Sequence, residues 1–376
     1  MQFDFIVIGA GMAGVSVADA LAGSGNVALL EAEAQPGYHT TGRSAALFAP
    51  NYGSESFAAL TRASAAFFHA PPAPHFPTPL LRHRGALYLA RVEQRARLDE
   101  QVQRMRRRGA AVELLTPAGA RARVSPLRVD YLAAAAYEPD VYDIDVEALL
   151  QGLLRRGRAA GVQLITHAQL GVPQHGRDGW QVPLGEQTLR APVVVNAAGA
   201  WADQVAGRFG ARPLGLRVLR RCAALIDAPP GPEAPGWPIV FDIDEEFYLK
   251  PEAGRLLISP ADEEPAIPGD AYAEDLAIAV AVDRIQRALA LDIEHVHRSW
   301  AGLRTFAPDR DPVIGYDEAT PGFFWCAGQG GYGIQSAPAY AQLAAALACG
   351  RDIPASVAAE GVTAAAVAPQ RLRTAP

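Results

Sequence analysis

Short apolar runs suited to buried strands alternate with helix-length segments at the start, middle and end of the chain. Residues 3–8 form one such run, a glycine-rich turn over 9–14 follows, and residues 15–21 are patterned as a helix. Residues 26–30 form a second apolar strand that ends on Glu31. Together these make a βαβ unit, which requires a right-handed crossover and implies a parallel sheet. The same pattern returns as a helix over 144–160 with a strand over 162–166, and as a strand over 191–195 that runs into Asn196-Ala-Ala-Gly199. It closes the chain as a strand over 322–327, a glycine-rich turn and a helix over 335–348.

The intervening segments read differently. A polar stretch over 37–44 precedes a helix over 54–68 with Ser54 as its N-cap, and the proline cluster over 71–79 leads out of the first lobe. Beyond it come a strand over 85–90 and a charged surface helix over 92–108. Two short strands surround Trp180 and Gln187, and residues 216–300 alternate short strands with turns, interrupted by a helix over 272–290. The fold expected is α/β (α+β): a Rossmann-like nucleotide-binding domain with an interleaved antiparallel-sheet substrate domain. The first is discontinuous, over 1–80, 145–215 and 301–376; the second occupies 81–144 and 216–300.

The turn Gly9-Ala-Gly-Met-Ala-Gly14 matches GxGxxG between a buried strand and a helix, the context in which that pattern binds a dinucleotide. Gly9 permits the tight turn, Gly11 lets backbone approach a pyrophosphate, and Gly14 lets helix and sheet pack closely. The helix N-terminus offers free N–H groups to the anion. Glu31 stands where a carboxylate accepts hydrogen bonds from both ribose hydroxyls, and where it would repel a 2′-phosphate. Two further glycine turns, at Gly199 and from Gly328 to Gly333, select FAD over NAD, because a simple NAD dehydrogenase needs neither.

Composition narrows the remaining choices. The net charge of −6 argues against a broad nucleic-acid surface, and no basic stripe with interleaved aromatics occurs. Three cysteines, Cys222, Cys326 and Cys349, have no close pairing and no histidine at metal-ligand spacing, so neither a disulfide framework nor a metal site is expected. The apolar start lacks a basic leading segment and is interrupted by Asp4 and Asp19, and no stretch is long enough to span a bilayer. A cytoplasmic monomer or weak homo-oligomer is expected, with peripheral attachment to the inner membrane left open.

Several stretches resemble the D-amino-acid oxidase (DAO) superfamily of FAD-dependent oxidoreductases, and within it the bacterial D-arginine dehydrogenase type of D-amino acid dehydrogenase. They are Ala34 to Ala46, Pro213-Leu-Gly-Leu216, Glu246-Phe-Tyr-Leu-Lys-Pro251, Trp300-Ala-Gly-Leu-Arg304, Gly330 to Gln335 and Pro369-Gln-Arg-Leu372. The resemblance implies noncovalent FAD held by Gly9, Gly11, Gly14, Glu31, Arg43, Ser44, Gly199, Gly330, Gly331, Tyr332, Gly333 and Ile334. It implies a small amino-acid substrate, with Arg304 clamping the carboxylate and Arg221 as a second active-site arginine. Arginine's planar fork is the best bidentate match to that group. Tyr52 and Tyr248 match tyrosines that donate hydroxyl hydrogen bonds to substrate, Gly331 a backbone contact to its amine, and Gln335 a polar group in the same turn. The competing reading of Arg220 and Arg221 is a surface ion pair, and that of the tyrosines a satisfied core hydroxyl.

The reaction implied is oxidative deamination to a 2-oxo acid and ammonia by hydride transfer to flavin N5, which positioning and desolvation can drive without a dedicated base. The arginine-preferring relatives carry a glutamate where this chain has Ala86, and a histidine and threonine where it has Leu47 and Ala49. Apolar and aromatic side chains are therefore expected over D-arginine and D-lysine. The sole lysine, Lys250, lies in the FYLKP strand, and the approximate counterpart of a lysine that favours oxygen reactivity is apolar, near Leu257. A quinone or other electron acceptor is expected over oxygen. An enzyme for a secondary amine of the glycine or sarcosine kind, or for a 2-hydroxy acid, is the rival, since each would need the same arginine clamp.

Overall fold

The two-residue period of the first strand decides how the chain layers. The structure, a computed structural model, describes residues 1–373. In the strand Phe5–Ile8, Phe5 and Val7 pack into one core while Ile6 and Ile8 pack into another, so the strand is covered on both faces. Val27–Leu30 repeats the division, with Val27 and Leu29 on one side and Ala28 and Leu30 on the other. The two strands pair in parallel, from Phe5↔Val27 to Ile8↔Leu30, and Val193–Asn196 pairs in parallel on the opposite side of the first. The six-stranded order is Val313–Tyr316, Phe323–Ala327, Val193–Asn196, Phe5–Ile8, Val27–Leu30 and Gln163–Ile165. Only Val313–Tyr316 runs antiparallel to its neighbour. Helices Met12–Leu21, Val146–Ala159 and Ala337–Ala348 close one face. The other is covered by the hairpin Gly179–Leu184/Gln187–Ala191 and the helix Ala202–Arg208.

A second sheet of nine strands draws on both insertions. Its longest pairing joins Arg217–Asp227 antiparallel to Val296–Phe306. Tyr248–Glu252 lies between Arg255–Ser259 and Ile239–Asp242, and Ile239–Asp242 pairs in parallel with Ala86–Ala90. Ala86–Ala90 in turn pairs antiparallel with Ala134–Glu138. The long strand Val296–Phe306 runs through the expected division at 300/301. Its far end carries Arg304 and Thr305 towards the first sheet, where the Gly330 N–H donates to the Thr305 carbonyl at 2.8 Å.

Local chemistry moves some boundaries from their expected positions. The segment over 54–68 forms two helices, Glu55–Ala63 and Ala65–His69. Ser54 caps the first, its hydroxyl accepting from the Phe57 N–H at 3.3 Å. Ser64 breaks the pattern: its hydroxyl donates to the Leu60 carbonyl at 2.8 Å and accepts from the Ala339 N–H at 3.0 Å. Residues Val92–Gln94 form a 3₁₀ turn before the helix Arg95–Arg107. Ile144 ends the strand Tyr142–Ile144, and Asp145 caps the helix that follows. The last long helix starts at Ala337, with Pro338 in its first turn, which leaves Gln335 in the preceding turn. A small sheet of Leu47–Phe48, Tyr142–Ile144 and Leu81–His83 was not expected from the sequence pattern.

Candidate active site

Gly9 has φ +97°, and a Cβ on Gly14 would lie 1.8 Å from the Gly9 carbonyl oxygen, so the turn closes onto the helix only without that carbon. Thr41 meets the start of the helix by accepting from the Met12 N–H at 2.9 Å. The Glu31 carboxylate is fixed at both oxygens, accepting from the Ala10 N–H at 2.9 Å and the Glu33 N–H at 3.0 Å. A cavity of about 730 Å³ is lined by Gly9, Gly11 and Glu31 from the six-stranded sheet and by Arg221, Tyr248 and Arg304 from the nine-stranded one.

The two later glycine turns also border this cavity. Gly199 has φ +52°, and the Asn196 amide braces its turn by donating to the Ala202 carbonyl at 2.8 Å. Gly330, Gly331, Gly333, Ile334 and Gln335 line the cavity, whereas Gly14 and Tyr332 do not. Gly14 packs the turn from behind. The Tyr332 ring turns to Phe57 and Tyr52, with ring centroids 4.8 and 5.3 Å apart. Arg43 and Ser44 line the cavity with their polar groups already engaged. The Arg43 guanidinium pairs with Asp270 at 2.6 Å and donates to the Ala271 carbonyl at 3.0 Å. The Ser44 hydroxyl donates to the Thr40 carbonyl at 2.7 Å.

The two arginines differ in what holds them. The Arg304 side chain makes no hydrogen bond or ion pair among the described residues. Its guanidinium lies against the Gly331 backbone, so closely that a Cβ there would sit 2.9 Å from the guanidinium carbon. Burial works against its charge, but the hydroxyls of Tyr248, Tyr52 and Tyr332 and the Glu245 carboxylate outweigh it and hold its pKa above the ordinary arginine value. Arg221 is partly committed, with Nε donating to the Asp262 carbonyl at 2.6 Å and an ion pair to Glu263 at 3.3 Å. Glu263 is shared with Arg310 at 2.8 Å. Arg220 points away from the cavity and pairs with Glu274.

Tyr52 and Tyr248 both line the cavity. Burial pushes the Tyr52 phenol well above its ordinary value, and Glu245, to which its hydroxyl donates at 3.1 Å, pushes the same way. Glu245 is a lining residue that sequence reasoning missed. It sits in a tight turn with φ +59°, and the only signal was the acidic run Asp244-Glu-Glu246 before the FYLKP strand. A carboxylate is thus present in the cavity although Ala86 offers none; Ala86 and Ala49 do not line it, while Leu47 does. Lys250 is buried outside the cavity, paired with Asp143 at 2.9 Å and Glu252 at 2.7 Å, opposite Leu257 in the sheet. No group of three or more His, Cys, Asp or Glu that could hold a metal ion occurs among the described residues.

Besides Arg304, the lining holds uncharged side-chain donors that have no hydrogen-bond partner among the described residues. The Gln335 side-chain oxygen accepts from the Ala49 N–H at 3.1 Å, which leaves its buried NH₂ group unpaired, and the buried Thr305 hydroxyl is unpaired as well. Unpaired buried donors are costly unless a ligand accepts from them. With the glycine turn and the braced Glu31, they fit a dinucleotide whose far end carries hydrogen-bond acceptors.

A parallel sheet with this turn, facing a second sheet across one cavity, defines a flavoprotein oxidoreductase. The chain belongs to the DAO family of FAD dependent oxidoreductases, which it matches over residues 4–347. Its cofactor is FAD. It is 26% identical over 296 residues to the FAD-dependent oxidoreductase domain-containing protein 1 of Bos taurus, a match that covers 68% of this chain and 60% of that protein. In fold it is similar to glycine oxidase from Geobacillus kaustophilus, with a TM-score of 0.81, 24% identity, and 93% and 95% of the two chains covered. It is similar also to L-alpha-glycerophosphate oxidase from Mycoplasma pneumoniae, solved with FAD bound, with a TM-score of 0.81, 17% identity, and 93% and 95% covered. Among the described residues no helix is long and apolar enough to cross a membrane.

Proposed function

We propose that the chain oxidises free D-amino acids with apolar or aromatic side chains to 2-oxo acids and ammonia, in the manner of the D-arginine dehydrogenase type but with a different side-chain preference. The observation that carries this reading is Arg304, a cation whose side chain has no hydrogen-bond or ion-pair partner among the described residues and faces the cavity between Gly331 and the two tyrosines. A substrate carboxylate supplies the anion that such a group requires. Arg221, half-neutralised by Glu263, completes the clamp. The Tyr52 and Tyr248 hydroxyls and the Gly331 carbonyl orient the amine. Leu47, Ala223, Ile239, Phe241 and Phe247 supply an apolar wall for the side chain. Glu245 engages Tyr52, so it is a weaker partner for a substrate guanidinium than a free carboxylate would be. FAD supplies the two-electron acceptor for the substrate's α-carbon; the chain's part is to hold that carbon in place and exclude water.

Anaerobic mixing of the holoenzyme with D-leucine, D-methionine, D-phenylalanine, D-arginine and D-lysine tests the reading. The apolar members should bleach the flavin faster than the basic ones. Faster bleaching by D-arginine or D-lysine would overturn the preference, and bleaching only by glycine, sarcosine or 2-hydroxy acids would overturn the substrate class. The secondary-amine reading draws support from the glycine oxidase likeness, so those compounds belong in the same panel. A dehydrogenase is favoured over an oxidase because the sole lysine is buried in ion pairs outside the cavity. The reduced flavin should reoxidise slowly in air-saturated buffer and quickly with a soluble quinone; rapid reoxidation in air contradicts that part.

A further inference from the structure

Glu138, the last residue of the strand Ala134–Glu138, is 1% exposed and does not line the cavity. Its carboxylate makes two hydrogen bonds and no ion pair among the described residues. One oxygen accepts from the Asn51 amide at 2.8 Å and the other from the Tyr88 hydroxyl at 3.0 Å. A buried carboxylate held only by neutral donors is expensive, and apolar residues would fill the same space at lower cost. Burial pushes its pKa up, with Asp140 adding to the rise and Asn51, Tyr88 and Arg108 opposing it.

Both of its partners lead to the wall of the substrate cavity. The Tyr88 ring stacks on Phe241, with centroids 5.5 Å apart and planes at 14°. Phe241 stacks in turn on Tyr52, at 6.2 Å and 25°. Tyr52 is the chain neighbour of Asn51, whose carbonyl is further held by an Arg108 N–H at 2.6 Å. Glu138, Tyr88, Phe241, Tyr52 and Asn51 therefore form a closed circuit. Phe241 and Tyr52 line the cavity, and Glu138 joins the two ends by bonding both Asn51 and Tyr88. Glu138 also pairs directly with Ala86 across the sheet.

We propose that Glu138 is a positioning residue for substrate: by holding Asn51 and Tyr88 together it fixes the Tyr88–Phe241–Tyr52 stack, and so the Tyr52 hydroxyl and Glu245, at the cavity wall. The proposal rests on the reading that this end of the cavity binds the substrate.

The test compares holoenzymes carrying Glu138→Leu and Glu138→Gln with the unaltered protein. Glutamine can accept from one partner and donate to the other, and the Asn51 side-chain oxygen is buried without a partner and can receive that N–H. Glu138→Leu should raise KM, and the Kd of a 2-oxo acid read from the flavin spectrum, about tenfold, as expected for one lost hydrogen bond in the site. Its kcat should change less than about threefold, with FAD content not lowered; Glu138→Gln should return KM and Kd to within about threefold of the unaltered values. Unchanged KM and Kd in Glu138→Leu would overturn the proposal. So would a joint loss of KM, FAD content and midpoint that glutamine does not relieve, since that pattern belongs to a merely structural residue. Should Glu138→Leu fail to fold, Tyr88→Phe keeps the carboxylate, removes one hydrogen bond and should raise KM by about threefold. If no amine or hydroxy acid reduces the unaltered flavin, the substrate reading fails by itself. Crystal structures of the two Glu138 variants then decide: Tyr52 displaced with leucine and retained with glutamine supports the proposal, and Tyr52 unmoved in both overturns it.

Discussion

A guanidinium that faces a cavity with no hydrogen-bond or ion-pair partner among the described residues keeps its donors free for a bound anion, and Arg304 is in that position. Its removal should therefore weaken substrate binding more than it weakens the fold. Arg304→Met should lower kcat/KM roughly 100-fold, since a charge-assisted hydrogen bond is worth about 1.5–3 kcal/mol, and should change the thermal midpoint little. Arg221→Met should show the reverse balance. It leaves the half-buried Glu263 with Arg310 alone, so stability should fall while kcat/KM falls less than in Arg304→Met. Steady-state kinetics and a melting curve on both variants separate the two, and equal kinetic losses would contradict the assignment of Arg304 as the main clamp. Arg304 was legible in the sequence because it sits inside an apolar motif where a charge needs a reason. Glu245 was not, because its place depends on a left-handed turn at a non-glycine residue, which no local pattern announces. Glu138 was invisible for a different reason: its partners come from two distant segments that meet only after the sheet forms.

The glycine turns act at the scale of elements, and the structure separates two kinds of glycine within them. A Cβ on Gly14 would strike the Gly9 backbone, whereas a Cβ on Gly331 would meet the far end of the flexible Arg304 side chain. Gly14→Ala should accordingly pull the helix away from the sheet and yield protein with little bound FAD. Gly331→Ala should retain FAD and raise KM about tenfold, because the guanidinium moves by a fraction of an ångström, and misplacement of that order is costly in a site. The ratio of flavin to protein absorbance checks the first outcome and KM the second; full FAD retention by Gly14→Ala would refute the packing argument. These turns and the strands leading into them were legible because continuous apolar runs ending in glycine are unambiguous. The helix break at Ser64 was not, since it depends on a bond to Ala339 on another element. The small sheet of Leu47–Phe48, Tyr142–Ile144 and Leu81–His83 was missed because its strands are too short to show a period.

At the scale of the whole molecule, two buried or half-buried glutamates pull stability in opposite directions as pH changes. Arg310 and Arg221 outweigh the burial of Glu263 and hold its pKa below the ordinary 4.5, whereas burial holds that of Glu138 above 4.5. For Glu263 the unfolded chain binds the proton more readily, so its contribution is present above 4.5 and disappears as pH falls through the lowered folded value. For Glu138 the folded chain binds the proton more readily, so its ionisation costs stability above the raised folded value, and that cost vanishes below 4.5. Glu263→Gln should therefore melt below the unaltered protein at pH 7, with the gap narrowing once pH drops under 4.5. Glu138→Gln should melt above it at pH 7, and its advantage should shrink towards pH 4. In a chain of this size each kcal/mol moves the midpoint by only about 1–2 °C, so the comparison needs matched holoenzymes in excess FAD. Calorimetry at several pH values reads both signs at once. Midpoint differences of the same sign for the two variants at pH 7 would show that at least one of these carboxylates is not held as its surroundings imply.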